Sequence, residues 1–204
     1  MTNNMELLVE NNPFLTKKIE RKVDSNDARI LFLYPNERGM STIPPSIAGL
    51  SQILKNEGHT TGLFDTTFYK FDDEITVEDS DKIRENVLEH RPVLDRDDDD
   101  LHFKKTTSSA VEDFRKSLID FKPDLIAVSC TETTFLRAIR MIDEIRDLGI
   151  KNIFGGVFPT FAPDLVMTYP NVDMVCVGEG ENAMIDLANS ISNQEKKFDI
   201  TNIW

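Results

Sequence analysis

Apolar and polar residues along this chain alternate between two periods. The first strong signal is Ile30-Leu31-Phe32-Leu33-Tyr34, five apolar residues in succession closed by Pro35. A run without polar interruption is the pattern of a strand covered on both faces. Pro44-Pro45 then opens a segment with Ile47, Leu50, Ile53 and Leu54 at helical spacing, stopped by Asn56-Glu57-Gly58. Thr60 to Phe64 predicts a second strand. Val111, Phe114, Leu118 and Phe121 form another helical stripe, ended before Pro123, and Leu125-Ile126-Ala127-Val128 predicts a third strand. Phe135, Ala138, Ile139, Ile142 and Ile145 share a helical face that stops at Gly149, ahead of a short fourth strand at Ile153-Phe154. After a brief helix from Pro163 to Tyr169-Pro170, Met174 to Val177 predicts the fifth strand, and Ala183, Met184, Leu187, Ala188 and Ile191 line a closing helix. Strands alternating with helices in this way predict an α/β fold, a Rossmann-like (flavodoxin-like) doubly wound five-stranded parallel sheet with right-handed crossovers.

Three stretches stand outside the alternation. Residues 1–27 form a polar N-terminal arm whose only apolar groups are Leu7-Leu8-Val9 and Phe14-Leu15. Residues 70–109 read as an acidic insertion after the second strand, since thirteen acids face four bases between Phe71 and Asp100. A solvated insertion is expected there. A divalent-cation loop would need Asp-x-[Asp/Asn]-x-[Asp/Asn]-Gly, which the stretch lacks. The main domain is therefore placed at 28–193. Residues 194–204, ending in Phe198-Asp199-Ile200-Thr201-Asn202-Ile203-Trp204, read as the start of a linker to a further domain.

Charge narrows the partners. The 204 residues hold 23 Lys plus Arg against 36 Asp plus Glu, a net charge of −13. With no basic stretch longer than Lys17-Lys18, electrostatics oppose phosphate backbones and anionic lipid, so neither nucleic acid nor membrane is expected as a partner. Met1 to Asn12 lacks the cationic and apolar regions of a secretory signal, and no apolar run approaches the ~20 residues of a spanning helix. A cytoplasmic location is expected. Cys130 and Cys176 each lie in or beside a β-type apolar run and read as core thiols. With the usual strand order, the third and fifth strands are about 10 Å apart, beyond the ~7 Å that a disulfide spans.

In an open parallel sheet, ligands bind at the carboxyl ends of the strands, and the loops there are distinctive. Pro35-Asn36-Glu37-Arg38-Gly39-Met40-Ser41-Thr42 follows the first strand, and Ser129-Cys130-Thr131-Glu132-Thr133-Thr134 the third. Gly155-Gly156-Val157-Phe158-Pro159-Thr160 follows the fourth, and Gly178-Glu179-Gly180-Glu181 the fifth. Paired glycines remove side chains where a bulky ligand must approach the backbone, and hydroxyls and helix-starting amides offer hydrogen bonds. Each element also has a plain structural use: the glycine pair as a tight turn, Thr133 or Thr134 as a helix N-cap. A dinucleotide site would place Gly-x-Gly-x-x-Gly after the first strand, where only Gly39 occurs. A phospho-receiver would need Asp at the end of the third strand, where Ser129-Cys130 stands.

The ordered set Pro44-Pro45-Ser-Ile-Ala-Gly-Leu, Glu57-Gly58-His59, Lys122-Pro123-Asp124-Leu125-Ile126-Ala127-Val128-Ser129, Gly155 to Thr160 and Gly178 to Glu181 resembles the N-terminal cobalamin-binding domain of cobalamin-dependent radical SAM enzymes. The resemblance covers roughly residues 28–193. It implies that a corrin ring lies across the carboxyl end of the sheet and that the nucleotide tail threads between strands. The cofactor-binding positions it implies are Asn36 and Thr42 after the first strand, and Ser129, Thr131, Glu132 and Thr133 in the hydroxyl loop. Gly155, Gly156, Val157 and Pro159 follow in the glycine-pair loop, with Gly178, Glu179, Gly180 and Glu181 in the last. No catalytic residue and no protein ligand to the metal is assigned. Related mutases and methionine synthase carry Asp-x-His-x-x-Gly after the first strand, whereas Asn36-Glu37-Arg38-Gly39 here has no histidine. A base-off, His-off cobalamin is therefore expected. His59, in a turn at the opposite sheet end, and His90 and His102, in the insertion, read as surface histidines.

Radical SAM chemistry needs three cysteine thiolates to hold an iron–sulfur cluster, and this chain has two cysteines, 46 residues apart. S-adenosylmethionine and the cluster are thus expected only in a catalytic barrel outside this chain, joined in cis or supplied in trans, with methyl transfer as the family's usual reaction. This chain alone is not expected to be catalytic. A stand-alone corrinoid carrier or sensor, and a vestigial Rossmann-like interaction domain, are the alternatives.

Overall fold

The structure is a computed structural model and describes residues 27–36, 44–69, 71, 106–195 and 199–204. The elements in order are β1 (Arg29–Tyr34), α1 (Pro45–Asn56), β2 (Thr60–Asp65), α2 (Ala110–Phe121), β3 (Leu125–Ser129), α3 (Glu132–Asp143), a single 3₁₀ turn at Arg146–Leu148, β4 (Lys151–Gly155), α4 (Val157–Phe161), α5 (Pro163–Met167), β5 (Met174–Val175) and α6 (Glu181–Ser192). The five strands form one sheet in the order β2-β1-β3-β4-β5, and every neighbouring pair is parallel. Strand order reverses between β1 and β3, the place where such sheets open a ligand crevice.

The apolar runs supply both faces of this sheet. Ile30, Phe32, Leu125, Ala127 and Ile153 turn to one side and pack with Ile47 and Leu54 of α1 and Ala183, Met184 and Leu187 of α6. Leu31, Leu33, Ile126, Val128 and Phe154 turn to the other, against Phe114 and Leu118 of α2 and Phe135, Ala138 and Ile142 of α3. Successive strand residues alternate between two cores, and so the runs lack polar breaks.

Chain punctuation follows local chemistry. Pro45 starts α1, where a missing N–H costs nothing. Ser109 caps α2, and its Oγ accepts the Glu112 N–H. Lys122 ends α2 at φ 51° and hands the chain to Pro123. The cap of α3 is Thr131 rather than Thr133 or Thr134: the Thr131 N–H donates to Thr134 Oγ1 at 3.0 Å, closing the first turn.

Two departures from the sequence reading concern edges. β5 is only two residues long; beyond it the Cys176 N–H still donates to Phe154 O of β4 at 2.8 Å, while Cys176 also forms an antiparallel bridge to Ile203. Val175 and Trp204 exchange backbone hydrogen bonds at 3.0 and 2.9 Å, and the Val177 N–H donates to Asn202 O. The final segment thus covers an edge that would otherwise expose unpaired amides. Ile200 and Ile203 pack on the core while Trp204 stays 54% exposed. The bulk of the acidic insertion lies outside the described residues; on either side of it Tyr69 and Thr106 form a parallel bridge, and the Thr106 N–H donates to Phe68 O at 2.8 Å. Of the N-terminal arm only Asp27 is described; its carboxylate accepts the Thr60 hydroxyl at 2.7 Å.

Candidate functional site

At the carboxyl edge of the sheet, a cavity of about 130 Å³ opens between β1, β3 and β4 on one side and helices α1 and α6 on the other. Its buried wall is apolar: Phe32, Ala127, Val128 and Ile153 from the strands, Ile47 from α1, Met184 from α6 and Cys176 after β5. Its exposed rim is polar, with Ser46 in the first turn of α1 and Glu179 and Glu181 at the start of α6. An apolar slot with a polar mouth orients a ligand whose body is greasy and whose remainder stays in water.

Glycines shape the mouth. Gly156 adopts φ 104° and ψ −166°, a region essentially reserved for glycine. A Cβ there would stand 2.6 Å from the Cys130 carbonyl oxygen. Gly155 differs, since a Cβ would meet only Cys176 Cβ at 3.8 Å and Val128 O at 4.0 Å, both ordinary contacts. The Cys130 N–H donates to Gly155 O at 3.1 Å, which draws the β3 and β4 loops together. Across the slot, a Cβ on Gly180 would meet Leu50 of α1 at 3.6 Å and Cys176 Sγ at 3.8 Å. Asn202 Nδ2 donates to Glu179 O at 2.7 Å and holds the last loop from outside.

The two thiols are not thiolates. Burial pushes the Cys130 thiol up to about 12. Burial, and then the nearby Glu181 carboxylate, also raise Cys176. Both cysteines are free and buried, as their place in β-type runs implied. Among the described residues, no group of three or more His, Cys, Asp or Glu side chains converges as a metal-ligand set.

Seven of the fourteen residues singled out in the sequence line this one slot: Ser129, Gly155, Gly156, Gly178, Glu179, Gly180 and Glu181. Thr131, Glu132 and Thr133 stay exposed at the start of α3, outside the lining. Pro159 is buried in α4, and Val157 on the same helix is 62% exposed. Asn36 is only 3% exposed and ties loops together. Its Nδ2 donates to Thr67 Oγ1, while its carbonyl accepts from Thr66 Oγ1 at 2.8 Å and from Arg137 at 3.3 Å. Thr42 lies outside the described residues.

His59 corrects the surface reading. It is 5% exposed, and its Nδ1 accepts the Ala28 N–H at 3.2 Å, so its ring braces the amino end of the sheet, far from the slot. A Gly-His pair before a strand looks like a turn, and the contact with Ala28, thirty-one positions earlier, is one that no local pattern shows. His90 and His102 lie outside the described residues. The sequence reading also missed Ser46, Leu50 and Met184, because a helix stripe does not reveal which of its residues line a cavity rather than fill a core. Thr160, inside the quoted glycine-pair loop, was passed over as well. Its hydroxyl donates to Gly156 O at 2.8 Å and accepts the Gly178 N–H at 3.1 Å.

The fold is Rossmann-like with a slot at its carboxyl edge, and comparison with known proteins shows what it resembles. Residues 95–188 match the family model described as B12 binding domain. No curated protein matches the chain. Among solved structures, the radical S-adenosylmethionine methyltransferase TsrM from Kitasatospora setae, with tryptophan substrate and the SAM analog aza-SAM bound, is 19% identical. It superposes with a TM-score of 0.59 over 87% of this chain and 28% of that one. The same enzyme with cobalamin and a [4Fe-4S] cluster bound has the same score, over 27% of its length. The cobalamin-dependent S-adenosylmethionine radical enzyme OxsB, with aqua-cobalamin and S-adenosylmethionine bound, is 20% identical at a TM-score of 0.55, over 87% of this chain and 20% of that one. At such identities the likeness is one of fold. This chain spans between a fifth and just over a quarter of these enzymes. The resemblance to the cobalamin-binding domain of cobalamin-dependent radical SAM enzymes, read from the loop motifs, is borne out. Among the described residues, no helix is long and apolar enough to cross a membrane.

Proposed function

We propose that this chain is a corrinoid-binding module, the cofactor-carrying half of a cytoplasmic radical SAM enzyme whose catalytic barrel is joined in cis or supplied in trans. The carrying observation is the slot at the carboxyl edge, lined by residues of three of the motif loops and lying within a sheet whose residues 95–188 match a B12 binding domain. The residues fit the group. An apolar cavity of about 150 Å³ holds one benzene-sized ring, so a slot of about 130 Å³ that opens at a polar mouth would take one edge of the aromatic base of a nucleotide tail and excludes a corrin, which would rest outside across the loops. Gly155 and Gly156 would lie under the tail, Phe32, Ile47 and Met184 would flank the base, and Ser129 would offer a hydroxyl at the rim.

When bound, the cobalt centre supplies a methyl-carrying site. In the proposed whole enzyme the methyl group and the radical come from S-adenosylmethionine and an iron–sulfur cluster held elsewhere. The loop after β1 has Asn36-Glu37-Arg38-Gly39 where an axial histidine would stand, and His59 is committed at the opposite end. Both features support a base-off, His-off cobalamin.

Titration of the 204-residue chain with hydroxocobalamin, followed by desalting and an ultraviolet–visible spectrum, tests this. Near-stoichiometric retention with a base-off spectrum is expected, weakened at least tenfold by Gly155→Val, whose side chain would enter the slot. A folded chain that retains no corrinoid would overturn the reading for this chain.

A further inference from the structure

We propose that Thr160 is a positioning residue that clamps the two glycine loops at the mouth of the slot and thereby sets how fast a bound corrinoid leaves; the proposal rests on the corrinoid-binding reading above. A threonine inside a helix commonly returns its hydroxyl to the carbonyl four residues back, and Thr160 does so with Gly156 at 2.8 Å. Its second bond is different in kind. The same oxygen accepts the N–H of Gly178, eighteen residues on, at 3.1 Å. One hydroxyl thus uses its single proton on the loop after β4 and a lone pair on the loop after β5.

The two partners are glycines at the mouth of the slot. Gly156 and Gly178 both line the slot and both have positive φ, 104° and 84°. Gly156 is pressed against the Cys130 backbone, where a Cβ would clash at 2.6 Å. Gly178 has no such support, for a Cβ there would meet nothing within 4 Å. The last loop is tethered on its far side by Asn202, and Thr160 tethers it on the slot side. Without the hydroxyl, Gly178 can swing outward and widen the mouth, while the apolar wall behind it is unchanged. The expected effect is therefore on release more than on folding.

Thr160→Val keeps the side-chain shape and removes both bonds, and Thr160→Ser keeps the hydroxyl. In the full chain, Thr160→Val is expected to release hydroxocobalamin roughly fivefold faster, the order that one hydrogen bond carries, with Thr160→Ser close to wild type. A ligand-free readout accompanies this. The temperature coefficient of the Gly178 amide proton, which reports whether that N–H is hydrogen-bonded, should shift toward solvent-exposed behaviour in Thr160→Val and not in Thr160→Ser. Wild-type release from Thr160→Val, or failure of Thr160→Ser to restore slow release, overturns the clamp. If the wild-type chain retains no corrinoid, the binding reading fails by itself. The Gly178 amide then decides the clamp, and an unchanged coefficient in Thr160→Val rejects it.

Discussion

Gly155 and Gly156 are neighbours with opposite demands on the chain, and substitution separates them. Alanine at Gly156 would place its Cβ 2.6 Å from a backbone oxygen in a glycine-only conformation. Such strain costs about 1–3 kcal/mol, and Gly156→Ala is expected to lower the melting temperature by several degrees (about 2–4 °C per kcal/mol at this size). Gly155→Ala meets only ordinary contacts. Its melting temperature should stay within about 2 °C of wild type, while corrinoid affinity falls, because the added methyl takes volume from the slot. Differential scanning calorimetry of both variants beside a corrinoid titration checks the contrast. A Gly-Gly pair was visible in the sequence, but not which glycine serves the backbone and which the ligand. That distinction arises from Cys130, brought beside Gly156 by the pairing of β3 with β4.

At the scale of elements, the five strands and the longer helices followed from apolar period and from Pro and Gly stops, whereas the short helix Val157–Phe161 lies inside what read as a loop, and the other differences sit at ends. The fifth strand takes Asn202 to Trp204 as an antiparallel partner on its outer edge, a non-local pairing that no window along the sequence contains. Helix-to-helix ties were equally hidden. Arg115 of α2 grips Asp147 of the 3₁₀ turn with two nitrogens, at 2.8 and 2.7 Å. The hydrogen bonds from Arg115 are the chief cause holding the Asp147 carboxyl below its usual value of 3.8. A depressed folded-state value means that the pair stabilises above the unfolded pKa and that this contribution fades as pH falls through the folded one. Both side chains keep partial contact with solvent, which screens the pair, so the contribution is at most about 1 kcal/mol. Asp147→Asn is expected to melt about 1–3 °C lower than wild type at pH 7 and to converge with it as the pH falls below the usual carboxyl value of 3.8, which thermal melts across pH 2–7 would reveal.

For the whole molecule, one cavity between two helices and a sheet edge gathers residues from positions 32 to 184. A ligand that binds only the folded chain stabilises it by mass action: about 2.7 kcal/mol at a hundredfold excess over Kd, or roughly 5–10 °C in melting temperature. Hydroxocobalamin should produce that shift, with cobinamide, which lacks the nucleotide tail, giving a smaller one; equal shifts would show that the slot takes no part. The amino-acid order by itself determined the α/β class, the five strands, both core faces and the loops at the ligand edge, because burial imposes its period locally on each segment. It also displayed the ordered motifs that resemble a cobalamin-binding domain. Only the tertiary structure decided which half of the candidate residues share the slot, that Asn36 and His59 serve as buried braces, and that Thr160 joins two loops eighteen residues apart. Those outcomes depend on the relative placement of strands and on α1 meeting α6, contacts between segments distant along the chain whose geometry no local pattern encodes.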